Sequence, residues 1–290
     1  MINQLANFRY FDFFDSVELT LYGVIVGYYF LLFAYFLFIR FRTSKKLYWF
    51  FFSILFIFLA ASRVCFISYY FYIPELEGNL STPELISAFM IMYRLATLFN
   101  WLATASLMGV LGVLLFPPDT DLEMMNQERS ENIVIKFIQD HRKEFKIFAR
   151  IILIILPIII GIVAMALPDN IFLDPELVTR YDYNIELITI DIGNWSYPIG
   201  RFILVLILLP MMIAIIPFIF LYLAYKTFGV LRRSYALNAV GFFLYYTGRI
   251  SQGLFDTLGW VNAKAIGPPL IILLSLLVIV VANVSYQELK

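Results

Sequence analysis

Four arginines lie inside long apolar stretches of this chain: Arg63, Arg94, Arg201 and Arg249. A guanidinium at the centre of a bilayer costs on the order of 3 kcal/mol, so a charge there is by default a functional or paired group. Its planar fork suits a carboxylate or a phosphate, and the chemistry in prospect is therefore recognition of an anion. Arg63 precedes Pro74, and Arg249 precedes Trp260, by about three helical turns; Arg94 follows Pro83 by the same interval. With neighbouring stretches running in opposite directions, these three sit at one level, roughly 15 Å below the same helix ends. Arg201, just after Pro198, is shallower.

Polar partners recur at helical spacing around them. Asn238, Tyr245, Arg249, Gln252 and Asp256 share one face, and Ser87, Arg94, Thr97, Trp101 and Thr104 share another, with Asn100 adjacent. Such stripes face a bundle interior or a watered cavity, not lipid. The expectation is an outward-open cavity holding Arg63, Arg94 and Arg249, with Arg201, Asn100, Tyr245, Gln252 and Asp256 as further ligand contacts. The competing expectation is that each arginine snorkels to headgroups or pairs with Asp256, Asp182, Glu186 or Asp191.

Other chemistries lack their residues. Lys and Arg equal Asp and Glu at 21 each, so no net field draws a nucleic acid. One cysteine and one histidine make neither a disulfide nor a zinc cluster. No GxSxG, HExxH or phosphate-binding glycine loop occurs, and no carboxylate falls mid-stretch. A non-enzyme without cofactor or metal is expected. The stretch Ile266–Tyr286 has no lysine for a retinal Schiff base. The Asp-Arg-Tyr and Asn-Pro-x-x-Tyr signatures of common G-protein-coupled receptors are missing too, since Asn283–Tyr286 reads Asn-Val-Ser-Tyr.

The elements that position the arginines follow from apolar length. The chain has 290 residues, 62% hydrophobic and 14% charged, against roughly 45–50% and 25% in soluble proteins. Seven stretches approach the ~20 residues a membrane helix needs: 17–39, 46–73, 84–116, 145–167, 198–225, 234–258 and 266–286. An all-α, polytopic, seven-helix bundle forming one domain over 1–290 is expected, in the cell membrane. Arg40, Arg42, Lys45 and Lys46, the basic residues from Arg129 to Arg150, and Lys226, Arg232 and Arg233 fall in alternate loops. The positive-inside rule then puts the N-terminus outside and the C-terminus in the cytoplasm.

Finer features punctuate these spans. Asp15–Glu18 and Ser81–Glu84 have capping-box spacing. Gly23 with Gly27, and Ala105 with Gly109, are small-xxx-small pairs expected to pack within the bundle. Prolines 157, 198, 210 and 217, and the pair at 268 and 269, should bend their helices. Residues 130–148 form an amphipathic cytoplasmic helix leading into the fourth span, and the 117–150 loop is a candidate site for a cytoplasmic partner. The outer loop 168–197 alternates in two phases, which predicts a bulged strand or a short hairpin able to act as a lid. Sliding the chain on itself sets Arg40 on Lys226, Lys46 on Arg232 and Arg63 on Arg249, so the first two spans overlay the fifth and sixth. This suggests a three-plus-one-plus-three arrangement of parallel repeats, an architectural analogy to transporters of the SWEET type. Their proline–glutamine loop motif is absent.

Three functions fit. The first is a receptor or sensor that binds a small anion or lipid headgroup from outside and shifts helices against a cytoplasmic partner. The second is a solute transporter built from the two repeats. The third is a non-catalytic structural subunit whose polar stripes hold the bundle together.

Overall fold

In the computed structural model, residues 12–116, 142–192, 195–258 and 260–284 are described. The chain is a helical, multi-pass membrane protein: six helices are long and apolar enough to cross a bilayer. They are α1 (Phe13–Ser44), α2 (Leu47–Tyr72), α3 (Thr82–Leu115), α4 (Arg142–Ala166), α6 (Ile199–Lys226) and α8 (Val261–Val284). Between α4 and α6 lie the short helix α5 (Pro175–Arg180) and an antiparallel hairpin, β1 (Thr189–Ile192) with β2 (Trp195–Pro198). A further long helix, α7 (Gly229–Thr257), packs along α6 and α8. It has the length of a span but carries too many polar residues to count as one by composition. Most of the amphipathic segment expected at 130–148 lies outside the described residues, which resume at Arg142 in α4.

The helices start where caps can form. α1 begins one turn earlier than the Asp15–Glu18 spacing suggests, at a reciprocal Asp12–Asp15 box. Asp caps as well as Ser, which frees Glu18 from capping; it is instead buried inside α1. At α3 the expected box is present, with Glu84 accepting from the Ser81 amide at 3.0 Å and the Ser81 hydroxyl at 2.6 Å. The buried face of α1 is Tyr22, Ile25, Tyr29, Leu32 and Phe36, a stripe at three- and four-residue steps.

Contact between helices is sequential. α1 packs on α2, α2 on α3, and α3 on α4; α6 packs on α7 and α7 on α8; α1 meets α8 and α3 meets α6. Of the prolines expected to bend their helices, Pro157, Pro217, Pro268 and Pro269 lie inside continuous helices. Pro210 lacks an N–H and crowds the carbonyl of Leu206, and the turn before it, Phe202–Leu208, is wound as a π-helix. That turn packs sparsely, with Leu204 on the second apolar cluster, while Leu209–Lys226 packs on α7 and α3. Of the small-xxx-small pairs, only one does what the spacing predicts. A Cβ on Gly109 would meet the Phe51 ring at 2.6 Å, whereas Gly23 and Gly27 have nothing within 4 Å and face outward.

Two apolar clusters divide the core. The larger joins α1, α2, α3, α6, α7 and α8. The smaller lies at the end of the bundle bearing the hairpin, where Phe172, Leu173 and Tyr181 of the 168–197 loop cover Tyr69, Phe89 and Tyr93. The hairpin is the one expected, but only from Thr189 onward; residues 183–188 run without strand pairing, their apolar side chains packed on this second cluster.

Candidate functional site

The long loop neutralises two of the four arginines. Arg94 donates to the Leu167 carbonyl and to Asp169 Oδ1, the latter at 2.6 Å. Arg201 donates to the Phe172 carbonyl, to Asp174 Oδ2 at 2.8 Å and to the Tyr69 hydroxyl at 3.2 Å. Its guanidinium also stacks on Tyr93, 3.8 Å from the ring centroid. The acids that reach them are thus Asp169 and Asp174, not Asp182, Glu186 or Asp191. The local fold explains the choice. Asp169 opens a 3-10 turn directly after α4, and Asp174 is the N-cap of α5, so both side chains are fixed at the bundle rim.

Arg63 has a different fate. It is 4% exposed, its guanidinium lies 4.2 Å from the centroid of the Tyr22 ring, and its neighbours include Tyr29, Tyr70 and Tyr245. Its Nε and one Nη have no hydrogen-bond partner, and the buried Glu18 carboxylate interacts with both Arg63 and the Tyr22 hydroxyl. The rings offer a guanidinium their negative faces, and the Tyr29 hydroxyl donates to that of Tyr245 at 3.2 Å. Arg63 therefore sits in a tyrosine cluster joining α1, α2 and α7.

Arg249 lines a cavity of about 610 Å³ enclosed by α2, α3, α6, α7 and α8. Its guanidinium lies 6.0 Å from the centroid of the Phe66 ring; among the described residues it has no hydrogen bond or ion pair. Asn100 and Tyr245 line the same cavity, joined by Thr104, Tyr246 and Tyr197 of β2. Of the eight residues singled out from sequence, Arg249, Tyr245 and Asn100 thus come together there. Arg63, Arg94, Arg201 and Gln252 do not line it, and the side chain of Asp256 lies outside the described residues. Tyr197 sits in β2 of the hairpin and not on a span, and only its pairing with Ile190 across the hairpin sets which side it faces.

Along α7 the lining residues run from Phe242 through Tyr245 and Tyr246 to Arg249 and Leu254, so the cation lies two turns nearer the hairpin end than Phe242. Most of the remaining lining is apolar, Phe56, Leu107 and Ile279 included, with Asn100, Thr104 and Tyr197 as further polar groups. Such a lining suits binding of a ligand with an anionic group and an apolar body. Among the described residues no group of three His, Cys, Asp or Glu is placed to hold a metal. A second cavity of about 410 Å³ lies at the opposite, basic end of the bundle, lined by Lys46, Arg150, Tyr48 and Asn283 among others. Val113 and Leu114 of α3 line it together with Arg150 of α4; residues 117–141 between those helices lie outside the described residues. No family model, no curated protein and no solved structure matches this chain.

Proposed function

We propose that this is a non-enzymatic seven-helix membrane protein of receptor or sensor type, in the cell membrane, with the hairpin end outside and α7 as the seventh span. Its cavity binds an anion through Arg249, with Tyr245 and Asn100 as polar neighbours. The observation that carries this reading is the contrast among the arginines. Arg94 and Arg201 have carboxylate partners, whereas Arg249 faces a cavity with none among the described residues. A cation left uncompensated in a low-dielectric site is costly, and an anionic ligand relieves that cost. The basic loops at the other end of the bundle support the orientation, and they offer a cytoplasmic partner its docking charge.

The packing order favours a transporter as the second reading. If α1–α3 and α6–α8 are equivalent, then the α1–α8 contact and the α6–α3 contact are the same contact seen twice. Ser62 and Gly248, which precede the matched Arg63 and Arg249, each face the third helix of their own triplet. Ser62 donates to the Ala96 carbonyl, and Gly248 abuts Pro268 and Ile272. The ungapped match would set Ala96 on Ala282, so the correspondence requires a shift in the third helix.

Thermal-shift measurements on the full chain in nanodiscs, with inorganic phosphate and short-chain carboxylates as probes, test the anion site. Stabilisation that Arg249→Gln removes and Arg94→Gln leaves intact supports it; no stabilisation by any anion overturns it. Flux of the same anions in proteoliposomes selects the transporter over the receptor.

A further inference from the structure

We propose that the cavity takes a single-chain amphiphile with an anionic head, and that this ligand enters sideways from the bilayer between α6 and α7. The inference rests on the proposed anion site at Arg249 and adds the ligand class and the route. Three observations carry it.

The first is the shape of the opening. Leu206, Ile250 and Leu254 line the cavity and are 49–51% exposed, more than the other apolar side chains that line it. A residue with one side on a cavity and the other on the surface marks a rim, and these three come from the facing sides of α6 and α7. The π-helical turn Phe202–Leu208 packs on the other helices more sparsely than Leu209–Lys226 does, with Leu204 on the second apolar cluster and Ile203, Leu206 and Ile207 exposed, so the wall between α6 and α7 is thinner there. Pro210 is the covalent cause, since it forbids the regular turn that would seat this stretch against α7.

The second is size. At about 30 Å³ per heavy atom, the share of a water molecule in the liquid, 610 Å³ holds on the order of 20 atoms. That is room for at least one acyl chain with a small head.

The third is polarity. On α7, Arg249 lies one turn beyond Tyr245 and Tyr246 and two turns beyond Phe242 toward the hairpin, whose Tyr197 also lines the cavity, while Phe56, Leu107, Phe242 and Ile279 are apolar wall. An acid group on Arg249 leaves its chain to that apolar wall. Lipid tails are as apolar as these walls, so moving a chain from bilayer to cavity gains little by itself. The preference must come from the head, where the guanidinium accepts a carboxylate or a phosphate bidentately. A neutral alcohol of the same chain length should therefore gain nothing.

The test uses the full chain in phosphatidylcholine nanodiscs with four radiolabelled probes: palmitate, lysophosphatidate, hexadecanol and inorganic phosphate. Saturable binding of palmitate or lysophosphatidate, with hexadecanol at least tenfold weaker, is expected; the stronger of the two acids identifies the head as carboxylate or phosphate. Arg249→Gln should weaken acid binding at least tenfold, and Arg249→Lys should restore part of it. Leu206→Trp or Leu254→Trp should slow palmitate association at least tenfold; an unchanged rate overturns the lateral route. Equal binding of hexadecanol and palmitate overturns the anionic head. Arg249-dependent binding of phosphate without either amphiphile overturns this inference and leaves the anion site standing, whereas no binding of any probe overturns both. Because Arg249→Gln risks misfolding, a diazirine-bearing palmitate analogue is also photocrosslinked to the unmodified protein. Adducts on peptides containing Leu206, Ile250 or Leu276 are expected, and adducts confined to other surfaces refute the site.

Discussion

The two loop-paired arginines make a graded test of what the 168–197 loop does. The Arg201 side chain is 11% exposed and that of Asp174 33%, and Arg201 also serves the carbonyl of fully buried Phe172, the hydroxyl of buried Tyr69 and the face of Tyr93. Replacing it by Gln strands one or both of those acceptors, at about 1–3 kcal/mol for a buried group, and removes a cation–π contact of about 1 kcal/mol. A total near 3 kcal/mol is expected. Arg94 and Asp169 are 21% and 43% exposed, so water screens that pair and replaces it when broken; about 1 kcal/mol is expected there. Double-mutant cycles isolate the pairwise part. Arg201→Gln with Asp174→Asn should couple by about 2 kcal/mol, and Arg94→Gln with Asp169→Asn by less than about 1 kcal/mol. Asn caps a helix about as well as Asp, so the Asp174 change leaves the start of α5 intact. The assay is reversible unfolding in mixed micelles by added dodecyl sulfate, followed by tryptophan fluorescence. Equal coupling in the two cycles, or the larger coupling at Arg94, would refute the argument from burial.

Three further measurements follow from the packing. Gly109→Ala should destabilise by about 1–2 kcal/mol because its Cβ meets the Phe51 ring, while Gly27→Ala should be neutral or stabilise by up to about 1 kcal/mol through helix propensity; the same unfolding assay reads both, and the reverse order would contradict the placement of these faces. Asn283→Ala should cost about 1–2 kcal/mol, since its side chain accepts from Tyr48 and donates to Asn238 and to the Ile279 carbonyl; a change below a few tenths would show that the network is not a support for α7 and α8. In a Cys65→Ala background, single cysteines at Glu77 and Asp182 should react with an impermeant maleimide from outside intact cells, and one at Thr43 should not; labelling of Thr43 alone would invert the topology.

The sequence by itself determined the membrane class and the places where helices run. Apolar length alone selects a bilayer, and caps such as Ser81–Glu84 are local, so both are legible without tertiary information. It also placed four arginines on long helices, since their position along each helix depends only on rise per residue. It did not determine what each arginine meets. Periodicity gives the face of a helix but not the rotation of its neighbour, and Arg63 and Arg249 look equivalent in the repeat while one is buried under Tyr22 and the other opens on a cavity. The carboxylates of Asp169 and Asp174 became partners only through the turn after α4 and the short helix α5, which no span-level pattern encodes. Gly23 with Gly27 and Ala105 with Gly109 share a spacing, yet only Gly109 has a ring against it. A small residue permits close approach but does not supply the neighbour; that depends on how the other helices close around it, and only the tertiary structure decided it.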